Sequence, residues 1–133
     1  MRVLLPVILA AASLAAAPAM AADQFDLVCK GQQKLARDGA PQPVEAHYRV
    51  DLAAGSWCRD QCVGVDKIAA AGPDRIAFKA HPKAGDQDEE IDESFERTSG
   101  KWIDLYAGPY PPGEFASTEG KCEVAAFSGF PGK

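Results

Sequence analysis

From Ala22 onward apolar and polar residues alternate over short runs, and no 3.6-residue apolar stripe persists beyond two turns. A period of two marks half-buried strands, because successive side chains leave opposite faces of the pleat. In QFDLVCK (24–30), Phe25, Leu27 and Cys29 share one face while Asp26 and Lys30 share the other. In AHYRVDL (46–52), Ala46, Tyr48, Val50 and Leu52 point one way, and His47, Arg49 and Asp51 point to water. Ala53-Ala54-Gly55 then turns the chain into Ser56-Trp57-Cys58. A short run over 65–69 and a turn signal at Ala71-Gly72-Pro73-Asp74 precede a strand over 75–81, with Ile76, Phe78 and Ala80 inward. Runs 91–98 and 101–107 flank Ser99-Gly100, which predicts a tight hairpin. A last strand over 122–127 sets Cys122, Val124 and Ala126 on one face.

Three connections read as long: 31–43, 82–90 and 108–120. The third holds Gly108-Pro109-Tyr110-Pro111-Pro112-Gly113, whose prolines cannot donate to a ladder, so it is excluded from any central strand. The pattern predicts an all-β fold: a single small antiparallel meander of about seven or eight strands, closed as a barrel or folded as a sandwich. No repeat or second domain is visible, and 133 residues suit one core.

Residues 1–21 (MRVLLPVILAAASLAAAPAMA) change the picture of where this domain works. One charge at Arg2, an apolar run and small residues ending in Ala19-Met20-Ala21 have the form of a signal peptide with an A-x-A cleavage site. The expected division is therefore 1–21 as leader and 22–133 as one mature domain, periplasmic or secreted. The unbroken apolar run is too short to span a bilayer, and Pro6 and Pro18 interrupt it, so no membrane span is expected after cleavage. No cysteine precedes Cys29 to carry a lipid. Loss of Arg2 removes one of the 14 Lys and Arg and none of the 19 Asp and Glu, so the net charge of −5 becomes −6. That balance disfavours nucleic acid and anionic lipid as partners. A monomer is expected.

All four cysteines, Cys29, Cys58, Cys62 and Cys122, lie beyond the leader. An even count in an exported chain of this size reads as two disulfides with three possible connectivities. Cys58–Cys62 with Cys29–Cys122 is favoured: a spacing of four is bridgeable across one turn, and the other pair then ties the first strand to the last. In the chain-entropy account the long loop contributes about 4.7 kcal/mol and the short one about 2 kcal/mol.

Cross-linking matters because Ser56-Trp57-Cys58-Arg59-Asp60-Gln61-Cys62 is the richest stretch for chemistry. Zinc wants two closely spaced ligand pairs, and neither Cys29 nor Cys122 has a second ligand nearby. Redox catalysis wants C-x-x-C at a helix start, whereas this spacer is three residues with strand-like flanks. A nucleophilic cysteine must be a free thiolate. The stretch is expected to be a covalent clip. In the acidic run 86–93, an EF-hand register starting at Asp86 places Ile91 where glycine is needed and Arg97 where the bidentate glutamate belongs, leaving a solvated loop with weak calcium capture as the alternative. His47 and His81 fall on polar faces, and a paired role would require the fold to bring them together. There is no G-x-S-x-G, H-E-x-x-H or phosphate-binding glycine loop. No enzyme activity, cofactor or metal is expected; an unrecognised hydrolase with a hidden carboxylate pair is the alternative. Among the aromatics, Tyr110 and Phe115 on the proline-rich loop are candidate contacts for an envelope protein or glycan.

The order FDLVCKG (25–31), YRVDLAAGSWC (48–58), FERTSGKW (95–102) and GKCEVAAFSGFP (120–131) resembles a group of short exported bacterial proteins of unassigned function. The resemblance implies a shared fold and export and no activity. Val28-Cys29-Lys30-Gly31 and Ser99-Gly100-Lys101 also resemble the opening and the serine-glycine loop of the membrane-bound and periplasmic C-type lysozyme inhibitors, which are small barrels joining an early cysteine to a late one. The chain departs from them at Ile103, where an aromatic is expected, and in its extra cysteine pair. That resemblance implies inhibition of lysozyme through Ser99 and Lys101. The leading expectation is a non-catalytic binding or structural module of the bacterial envelope.

Overall fold

The alternation is realised as nine strands and, among the described residues, no helix: β1 (Gln24–Lys34), β2 (Gln42–Asp51), β3 (Ser56–Arg59), β4 (Asp66–Lys67), β5 (Ala70–Ala71), β6 (Arg75–His81), β7 (Glu90–Glu96), β8 (Lys101–Ala107) and β9 (Phe115–Ala125). This computed structural model describes residues 22–85, 88–109 and 113–132. The leader, Asp86, Tyr110 and the Pro111-Pro112 pair lie outside them. All neighbours run antiparallel in one sheet of order β4-β3-β2-β1-β9-β8-β7-β6-β5. β9 is inserted beside β1, so the first and last strands are paired at the centre of the sheet.

The sheet curls into a half-barrel because one face of every long strand is apolar. Phe25, Leu27, Tyr48, Val50, Trp57, Ile76, Phe78, Phe95 and Trp102 are all buried on the concave side. Rings from opposite arms meet across it: Tyr48 stacks on Phe78 at 4.8 Å between centroids, and Trp57 lies 5.0 Å from Phe78. Such ring pairs add about 0.5–1.5 kcal/mol each beyond area burial. β4 and β5 belong to one stretch that changes partners. The Ile68 amide donates to the Gly55 carbonyl (2.9 Å) and the Ala69 amide to the Phe78 carbonyl (3.3 Å), which bridges the two arms at one end.

Both predicted disulfides are present, Cys29–Cys122 across β1 and β9 and Cys58–Cys62 within one turn, and no described cysteine is free. β1 and β9 approach closely: Cys29 and Cys122 are 3.9 Å apart at Cα, and Gly31 faces Gly120 two residues on. A Cβ on Gly120 would sit 2.1 Å from the Lys30 carbonyl oxygen, and one on Gly31 would sit 2.3 Å from that of Glu119. Both obstacles are backbone and cannot swing aside. Gly120→Ala is therefore expected to lower the unfolding free energy by at least about 3 kcal/mol, the upper range for overpacking, measured by urea titration.

The long loops expected at 31–43 and 108–120 are shorter, because β1, β2 and β9 extend past their apolar runs. Ladder pairing continues through Gly31-Gln32-Gln33-Lys34 against β9 although those residues carry no hydrophobic signal. Pro43 sits inside β2 on a stretch that β3 does not cover, where a missing donor is tolerated. The hairpin between β7 and β8 has a four-residue loop, 97–100, in place of the two-residue turn expected at Ser99-Gly100. In β6, a register shift between Ala77 and Lys79 admits Phe78 as an extra residue. The phase then inverts, so Lys79 pairs with Glu93 and Ala80, predicted inward, is exposed.

Candidate functional site

Within the half-barrel, three strands each carry a charged residue two positions from a buried aromatic. Trp57 precedes Arg59 on β3, Glu93 precedes Phe95 on β7, and Asp104 follows Trp102 on β8. The period of two sends each charge to the concave side beside its aromatic partner. Arg59 Nη1 donates to Glu93 Oε1 (2.9 Å) and to Asp104 Oδ2. The Tyr48 hydroxyl donates to the same Glu93 oxygen (2.8 Å) and accepts from Trp102 Nε1 (3.0 Å). The Arg59 guanidinium lies over the Tyr48 and Trp102 rings, at 5.4 and 5.8 Å.

Burial decides the electrostatics. The Glu93 side chain is only 5% exposed, and its carboxyl is pushed above the ordinary glutamate range by burial and by Asp104, which outweigh Tyr48, Arg59 and Lys79. Burial, then Glu93, also holds the Tyr48 hydroxyl protonated. Burial opposes the charge on Arg59, but the Tyr48 oxygen, Asp104 and Glu93 keep it fixed. Two carboxylates on one concave face resemble a glycosidase pair, yet here a guanidinium nitrogen bonds both and occupies the space a scissile bond would need.

The SWCRDQC stretch is the device that aims Arg59. Asp60 and Cys62 adopt left-handed backbone (φ 52° and 49°), which costs non-glycine residues energy and persists where the surroundings enforce it. The Cys58–Cys62 bond closes that turn, while Asp60 accepts from the His47 amide (2.9 Å) and its own amide donates to the His47 carbonyl (2.7 Å). The clip thus caps an unpaired stretch of β2 and ends β3 with Arg59 facing inward.

The two histidines do not meet. His81 pairs with Asp88 (3.1 Å) at the surface, and that contact lowers the Asp88 carboxyl from its ordinary value. On the convex face His47 Nε2 lies 2.8 Å from Asp26 Oδ2, and Ser128 Oγ donates to the same oxygen (2.6 Å). Serine, histidine and aspartate are together, but the acid stands between the other two. A hydrolytic triad needs histidine at the serine oxygen, so this Ser128 has no base. The group instead fastens the C-terminal segment, helped by the Ser128 amide on Asp26 Oδ1 (3.1 Å) and Arg49 Nη1 on the Gly129 carbonyl (2.8 Å). Asp26 and Arg49, expected at the solvent, are covered for this reason: Asp26 is 3% exposed and Arg49 half-buried.

Comparison with known proteins returns nothing. No protein-family profile, curated protein or solved structure matches the chain.

Of the residues predicted for binding, Tyr110 lies outside the described residues, and Lys101 and Phe115 fall at opposite ends of the β8–β9 pair. Lys101 pairs with Lys121, whereas Phe115 pairs with Ala107, six residues further along β8, or roughly 20 Å at the rise of a strand. Ser99 Oγ donates to Glu96 Oε2 (2.8 Å) and accepts from the Lys101 amide (3.2 Å), which stiffens the hairpin. The Gly100 carbonyl accepts from the Cys122 amide (2.9 Å). Phe115 lines an open cavity of about 340 Å³ beside the 35–41 loop. Among the described residues no group of three or more His, Cys, Asp or Glu is placed to hold a metal ion. In the acidic run, expected to be solvated, Glu93 is a buried member of the concave network.

Proposed function

We propose that the chain is a non-catalytic binding module exported to the bacterial periplasm or beyond. The observation that carries this reading is the closed concave network: Glu93 and Asp104 both bond Arg59, and Tyr48 bonds Glu93. Groups tied to one another in this way stiffen a scaffold and are poorly placed to trade protons with a substrate. Two disulfides fit an oxidising compartment. The test is incubation of the oxidised protein with glycoside, ester and peptide substrates. No turnover is expected; turnover that is lost in Glu93→Gln would overturn the reading.

A second reading, inhibition of lysozyme, is favoured by the stiff Ser99-Gly100-Lys101 hairpin. Lys101 ends a cross-strand row with Lys121 and Lys30, the last of which pairs with Glu45 (3.6 Å), so Lys101 and Lys121 form a cationic patch suited to an acidic cleft. Slowed lysis by micromolar protein, weakened by Ser99→Ala with Lys101→Ala, is its signature. Unchanged lysis with every lysozyme type would remove it.

A further inference from the structure

The cavity beside Phe115 has a floor made by the two strands at the centre of the sheet. Gln32 pairs with Glu119 and Lys34 with Ser117, and all four side chains stand on the convex face. Phe115 and the loop residue Arg37 form the wall, with the Arg37 guanidinium 4.9 Å from the ring centroid. A volume of about 340 Å³ lies at the small end of ligand sites and seats roughly one or two pyranose rings.

We propose that this cavity binds an acidic saccharide, a sugar carrying a carboxylate. The inference rests on the binding-module reading and names its ligand class. β1 and β9 are paired on both sides, so their backbone groups are spent and no peptide can add to them as a strand. Recognition must come from side chains. Gln32 and Ser117 each both donate and accept, and Glu119 accepts, which matches hydroxyl groups that do both. The Phe115 ring offers an apolar wall to the C–H face of a pyranose. Lys34 and Arg37 outnumber Glu119 and select an anion, with Arg37 held over the ring so that its planar fork is set for a carboxylate. The chain's net charge of −5 opposes an anion at long range, but screening confines that field and leaves the two local cations in control at contact.

The test titrates the oxidised full chain, as exported from an expression host, with digalacturonate, maltose and hexaglutamate, followed by amide chemical shifts and calorimetry. Digalacturonate is expected to give saturable shifts at Lys34, Arg37 and Phe115, with maltose at least about tenfold weaker. Arg37→Gln and Phe115→Leu should each weaken digalacturonate about tenfold, while Lys67→Ala, an exposed cation on the edge strand β4, leaves it unchanged. Hexaglutamate binding as tightly at the same amides would make the site an acidic-peptide site and overturn the proposal. So would absent shifts, shifts elsewhere, or affinity indifferent to Arg37→Gln. Cleavage of digalacturonate would sink the non-catalytic reading as well, whereas silence at the cavity without turnover sinks this site alone.

Discussion

Replacing Arg59 with Met is expected to lower the unfolding free energy by about 3–5 kcal/mol at pH 7, the range found when one partner of a buried ion pair is removed. The variant keeps an unbranched apolar side chain at the position but removes the guanidinium from over the Tyr48 and Trp102 rings and leaves Glu93 and Asp104 without their shared donor. The pH dependence identifies the cause. The folded-state value of Glu93 is already raised, so the stability tied to its protonated form is fully present below the ordinary value of about 4.5 and is lost as pH rises through the folded value. Arg59 is among the groups that lower it, so removing Arg59 raises it further and steepens that loss. The deficit at pH 4 should be less than half that at pH 7, when both are read from urea titrations. Adding Glu93→Gln to Arg59→Met should recover part of the deficit, and the double-mutant cycle should show coupling between the two sites. An equal deficit at both pH values, with no coupling, would mean that Arg59 acts through packing alone.

The concave network was readable in principle from the same alternation that predicted the strands. Arg59, Glu93 and Asp104 each stand two positions from a large aromatic, Trp57, Phe95 and Trp102, and period two puts each charge on the same face as its aromatic. Composition misleads here: a charge within an acidic run suggests water, whereas the partner that makes Glu93 tolerable inside lies on β3, 34 residues away. Sequence spacing does not encode that pairing. The core residues Phe25, Leu27, Tyr48, Val50, Ile76 and Phe78 were legible because alternation is local. Ala80 was not, since one extra residue at Phe78 inverts every later side chain on β6, and nothing in RIAFKAH announces the shift.

The convex face was the least legible part. Asp26, His47 and Arg49 fall on the polar faces of their strands and Ser128 carries no sequence signal, and it is the return of the C-terminal segment that covers Asp26 and brings Ser128 to it across 102 positions. The sequence places Phe115 on a proline-rich loop. The structure makes it the first residue of β9 and gives it a cavity whose other members, Gln32, Lys34 and Ser117, carried no motif. Sites made of cross-strand pairs leave only a register in the sequence, and that register depends on which strands become neighbours.

The two disulfides should separate by what each loop closes. Cys29→Ala with Cys122→Ala removes a bond spanning 93 positions and is expected to cost about 4.7 kcal/mol, against about 2 kcal/mol for Cys58→Ala with Cys62→Ala. The first pair binds β1 to β9 at the centre of the sheet, where ladder hydrogen bonds and the Gly31–Gly120 approach already hold the strands. Its removal acts mainly by freeing the unfolded chain, so the pH profile of the remaining stability should keep its shape. The second pair closes the turn that holds Asp60 and Cys62 in left-handed backbone and aims Arg59. Its loss should change the profile in the direction of Arg59→Met, with a deficit that grows from pH 4 to pH 7. Urea titrations of both variants at the two pH values test the pair of statements together. A larger cost for the short loop, or a pH-independent one, would show that the clip does not position the guanidinium, and the strained turn would then have to be held by Asp60 and the β2 edge alone.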